Sequence, residues 1–134
     1  GPLHWLQLPP DGAHMSLDEH RYAKMASREL NNLIDQIDEL DPDEVEGFLS
    51  QGVLKLSFFN NASDVCVINS HGAAREIWMA HDAQAWHFGW DEGASAWKAS
   101  KTGEELYEVV NRTLSQRLKR DIALERADLT GLKP

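Results

Sequence analysis

Seven carboxylates fall within the twelve residues from Asp35 to Glu46, with no base among them: Asp35, Asp38, Glu39, Asp41, Asp43, Glu44 and Glu46. A like-charged run of this kind usually favours disorder. Here it is pinned between an amphipathic helical pattern and an apolar strand pattern, so folding holds repelling acids together at a cost in stability. A hard cation or a basic partner surface would relieve that repulsion. Asp35, Asp38 and Glu39, spaced i, i+3, i+4, share one helix face. Glu44 and Glu46, two apart on a strand, share one sheet face. All-carboxylate donors suit Ca²⁺, Mg²⁺, Mn²⁺ or iron and not tight Zn²⁺ binding. A solvated helix end and loop is the competing explanation.

Other chemistry-bearing residues are more scattered. His81 and Asp82 could meet His87 across a hairpin, but no His-x₃-His pair or close Cys/His set supports a metal centre. His71 and His81 are expected in loops. Cys66 lies mid-strand, where a buried, inert thiol is expected. Nucleophile-elbow and phosphate-loop motifs are absent. The net charge of −9 argues against nucleic acid and anionic membranes as partners, which need a basic footprint. One cysteine excludes an internal disulfide and fits a reducing compartment. No apolar run is long enough to span a bilayer.

The elements that must position these residues follow from pattern. Residues 1–15 read as a flexible leader, with Gly1-Pro2 resembling a protease scar. Ser16, with Glu19 three residues on, has capping-box spacing. Tyr22, Ala26, Leu30, Leu33, Ile37 and Leu40 then recur on one helical face, which Pro42 ends. Strands follow at Val45 to Leu49, Val53 to Phe59, Asp64 to Asn69, Glu76 to Ala80, Ala85 to Trp90 and Ala96 to Ala99. Gln51-Gly52 and Asn60-Asn61 are turns between them. Thr102 with Glu105 opens a second helix, whose stripe is Leu106, Val109, Val110, Leu114 and Leu118. Residues 16–120 form one domain, and 121–134 a tail that either runs back over the helices or frays.

Helix, five or six strands on short turns, then helix is an α+β pattern: a two-layer sandwich with both helices on one face of an antiparallel sheet. The other sheet face is open to solvent. Ile77 and Met79 point toward the helices, so Trp78 points away from them. Trp78 is then either an exposed binding anchor or a member of a cross-strand cluster with Trp86 or Trp97.

In order along the chain stand the acidic helix end, Gly52-Val53-Leu54-Lys55-Leu56, Val67-Ile68-Asn69, Glu76-Ile77-Trp78-Met79-Ala80, Trp86-His87-Phe88, Trp97 and Gly103-Glu104-Glu105-Leu106. As a combination these resemble frataxin, over about Ser16 to Leu118. The resemblance implies the same sandwich and a role in iron–sulfur cluster assembly. It implies weak iron binding by Asp35, Asp38, Glu39, Asp41, Asp43, Glu44 and Glu46. It also implies a partner surface with Asn69 and Trp78, joined by Arg75 in the adjoining turn. The chain departs from the family pattern at Glu76, where Gln is usual, at Ala73-Ala74-Arg75, and at Phe48, where an acidic or polar residue is common and whose presence shortens the acidic ridge.

Two functions follow from the resemblance. One is a regulator that docks on the cysteine desulfurase–scaffold complex and modulates sulfur transfer. The other is an iron chaperone or storage protein with weak ferroxidase activity, for which no Glu-x-x-His di-iron pairs are present. The expected state is a monomer, with iron-dependent oligomers as a variant. The leader and the Ser16-to-Tyr22 start point to the mitochondrial matrix, and Trp86-His87-Phe88 to bacterial cytoplasm.

Overall fold

The computed structural model describes residues 17–59 and 61–129. The leader, Ser16 as a cap, Asn60 of the second turn and the last five residues of the tail lie outside these.

Helix α1 (Glu19–Ile37) begins at Asp18, whose carboxylate accepts the Arg21 amide at 2.7 Å. Asp18 therefore supplies the N-cap expected of Ser16. The helix stops at Ile37, short of Pro42, with Asp38 as its C-cap. The sheet follows: β1 (Val45–Ser50), β2 (Val53–Phe58), β3 (Asn61–His71), β4 (Glu76–His81), β5 (Gln84–Asp91) and β6 (Ala96–Ala99). Helix α2 (Leu106–Leu118) closes the sequence of elements. Its cap is Glu105, in a reciprocal capping box with Glu108. Thr102 instead accepts the Glu104 amide in the preceding turn, at 3.1 Å.

All six strands pair with their chain neighbours, antiparallel, in the order β1 to β6. The β1–β2 turn places Gln51 at φ 51° and Gly52 at φ 78°, the left-handed pair that a tight hairpin needs. Leu54, Leu56, Cys66, Ile68, Ile77, Met79, Trp86 and Phe88 line the sheet's buried face. Helix α1 packs Tyr22, Met25, Ala26, Leu30, Leu33 and Ile37 into the same core, and α2 adds Leu106, Val109, Val110 and Leu114. No described helix is long and apolar enough to cross a membrane.

The segment after α2 is docked. The Leu124 amide donates to Asn111 Oδ1 at 2.8 Å, and Asn111 Nδ2 returns a bond to the Leu124 carbonyl at 3.1 Å. The Ile122 amide donates to Ser115 Oγ at 2.8 Å, and Gln36 exchanges bonds with the Glu125 backbone. Of the two courses open to the tail, residues 121–129 take the one over the helices.

Candidate functional site

The open sheet face carries a side-chain stack. Asn69 of β3 faces Trp78 of β4, and Trp78 faces His87 of β5. The His71 ring lies on one face of the Trp78 indole, with centroids 3.6 Å apart and 12° between planes. His87 lies on the other at 4.0 Å and 10°. The indole N–H donates to the Glu76 carboxylate at 2.8 Å. Trp78 is thus clamped above and below and tied at its edge, a rigid, half-exposed ring. Trp86 and Trp97 lie in the core on the opposite face, so neither is its partner. Arg75 is exposed in the β3–β4 turn at φ 55°.

His71 was expected in a loop, yet it ends β3. Its signal was the alternation Val67, Asn69, His71, which places it on the Trp78 face. His81 likewise ends β4, on the helix side of the sheet with Met79, so it cannot meet His87. Phe48, 68% exposed, sits on the open face of β1 opposite Lys55, away from the helix end.

The acidic run is less uniform than its spacing suggests. Asp35, Asp38, Glu39, Asp41, Asp43 and Glu46 are exposed. Glu39 lies beyond the helix, its amide turned to the Gln36 carbonyl at 3.1 Å, so the helical spacing holds only through Asp38. Asp41 accepts the Asp43 amide at 2.9 Å and orders the turn. Glu44 remains in that turn and does not share a strand face with Glu46. Both of its oxygens accept from Arg120 Nη1, at 2.6 and 2.7 Å. No three ridge carboxylates bring ligand oxygens within 4.8 Å of one another; among the described residues only Asp64, His81 and Asp82 form such a group. The ridge donors fit a hard cation chemically, but as single, water-rich contacts rather than a cage.

A family model described as a frataxin-like domain matches residues 15–120. The chain belongs to the frataxin family. The iron-sulfur cluster assembly protein CyaY of Thioalkalivibrio sulfidiphilus is 33% identical over 91 residues, covering 67% of this chain and 83% of that protein. Frataxin from Psychromonas ingrahamii superposes with a TM-score of 0.71 at 16% identity, over 82% of this chain and all of that one. Trimeric yeast frataxin complexed with ferrous iron gives 0.61 at 21% identity, over 84% of this chain and all of that one. At these identities the two structures speak for the frataxin fold. The meander sheet and the two helices on one face are that fold, as the sequence pattern predicts.

Proposed function

We propose that this chain serves iron–sulfur cluster assembly as a non-catalytic regulator. In this reading it docks on a cysteine desulfurase–scaffold complex and modulates sulfur transfer. The clamped Trp78 carries the proposal. An aromatic already held in one rotamer loses little entropy on binding and can supply the desolvated centre of an interface. Asn69, Glu76 and the Arg75 turn form its polar rim. The exposed acids Asp35, Asp38, Glu39, Asp41, Asp43 and Glu46 would meet basic partner residues and set orientation and on-rate. The names of the CyaY relatives support the assembly role. Those relatives are bacterial, which favours bacterial cytoplasm over the mitochondrial setting expected from the leader.

The test is a desulfurase assay with scaffold present and this chain titrated in, beside Trp78→Ala. The expected outcome is a dose-dependent rate change and about 30-fold weaker action of the variant, the scale of a hot-spot loss. Equal action of both proteins would remove the open face from the interface.

Iron handling is the second reading, favoured by the ferrous complex of the yeast structural neighbour. The dispersed ridge carboxylates support weak iron binding, and no converging set among them supports a ferroxidase centre. Iron titration unchanged after Asp38→Asn, Glu39→Gln and Asp41→Asn together would separate the ridge from iron.

A further inference from the structure

Three donors lie close together at the His81 end of β4, on different elements from the acidic ridge. Asp64 and His81 are each 11% exposed at the side chain, while Asp82 sits in the β4–β5 turn at φ 56°. Asp64 Oδ1 lies 2.8 Å from His81 Nε2, and Asp64 Oδ2 pairs with Arg117. The Arg117 guanidinium is itself held over the Phe58 ring, 4.9 Å from its centroid. A carboxylate paired with arginine has no proton to give, so the hydrogen between Asp64 and His81 belongs to Nε2.

This assignment decides what the other ring nitrogen can do. In the neutral ring Nδ1 then carries a lone pair. Its nearest charged neighbour is Asp82 Oδ2 at 3.9 Å, too far for a hydrogen bond. No donor among the described residues reaches Nδ1 or the Asp82 carboxylate. Two acceptors therefore face each other across a gap, one of them on a nearly buried ring. A carboxylate behind the remote nitrogen is the arrangement that orients a metal-ligating histidine and raises its basicity.

We propose that His81 Nδ1 and the Asp82 carboxylate bind a first-row divalent cation, with Asp64 as the positioning residue. Both oxygens of Asp64 are engaged, so it orients the ring and does not ligate. Tetrahedral ligands at about 2.1 Å sit roughly 3.4 Å apart, so the exposed Asp82 carboxylate has to close by about half an ångström. One nitrogen and one oxygen, with water completing the shell, suit Zn²⁺, Co²⁺ or Fe²⁺ better than Ca²⁺ or Mg²⁺. This site differs from the all-carboxylate ridge in donor type and position, and does not rest on the function proposed above.

The test is titration of the intact chain with Zn²⁺ alone, followed on the His81 ring nitrogens by long-range ¹H–¹⁵N NMR. Zn²⁺ should shift Nδ1 while Nε2 keeps its hydrogen, both in the wild type and in a chain carrying Asp38→Asn, Glu39→Gln and Asp41→Asn. Asp82→Asn, which tolerates the left-handed backbone, should weaken the response at least tenfold. His81 nitrogens unmoved at saturating Zn²⁺, or moved equally with Asp82→Asn, would overturn the site. So would an imidazolium that holds both hydrogens throughout a titration at neutral pH.

Discussion

The Tyr107 hydroxyl donates to Glu29 Oε1 across 2.5 Å and joins α2 to α1 inside the core. Glu29 is only 3% exposed. Its other oxygen accepts Trp97 Nε1 at 3.1 Å, and the Ala127 amide reaches Oε1 at 3.2 Å. One carboxylate thereby gathers α2, β6 and the C-terminal segment. Burial pushes its pKa above the usual 4.5, and the three donors only partly offset this. As pH rises the unfolded chain releases this proton first, while the folded chain still holds it. The stability that Glu29 contributes is fully present below about 4.5 and is lost as pH rises through its raised folded value. Glu29→Gln should flatten that fall in urea melts run across the range. Glu29→Ala should cost about 3 kcal/mol, because buried donors lose their acceptor. A pH slope identical in Gln variant and wild type would contradict this account.

Asn111 is bonded in both directions to Leu124, which makes it the clasp of the tail. Asn111→Ala should lower stability by about 1–2 kcal/mol. The Leu124 amide should lose hydrogen-exchange protection before the sheet does. Protection that falls evenly over the whole molecule would show that the tail does not open separately.

Removing both rings from Trp78, as His71→Ala with His87→Ala, tests whether the clamp matters for docking. Each stacked pair is worth about 0.5–1.5 kcal/mol. Losing both stacks should therefore lower the melting temperature by several degrees without unfolding the sheet, while affinity for the desulfurase–scaffold complex falls about five- to tenfold. Unchanged affinity would mean that Trp78 needs no support from its neighbours.

Arg120 occupies both oxygens of Glu44, and this pairing keeps its own pKa raised. Arg120→Ala should release Glu44 to the ridge and remove a nearby positive charge. Mn²⁺ or Fe²⁺ binding should then tighten, read by paramagnetic broadening of ridge resonances. Weaker binding would show that Arg120 positions Glu44 for the cation instead.

Burial pushes the Cys66 thiol up to about 12, with Asp64 adding to the shift. The thiolate is the reactive form, so Cys66 should resist thiol reagents near neutral pH. Modification should track global unfolding in urea. Rapid labelling of the native chain would point to local opening of β3.

The sequence by itself determined the layer order, because hydrophobic period and turn residues are local properties. Alternation in Ile77-Trp78-Met79 was enough to send Trp78 to the open face, and the i, i+3, i+4 stripe from Tyr22 to Ile37 was enough to seat α1 on the other. What surrounds each side chain was decided only by tertiary structure, through residues far apart in the chain. His71 and His87 reach Trp78 by strand pairing, and Arg120 withdraws Glu44 from the ridge across 76 positions of sequence. Glu29 has no partner within its own helix sequence to mark it, and it is Tyr107, 78 positions away, that makes it a buried acceptor. Spacing reports which face a residue takes; only the packing of α2, the sheet and the tail supplies the partners that set its charge, rigidity and chemistry.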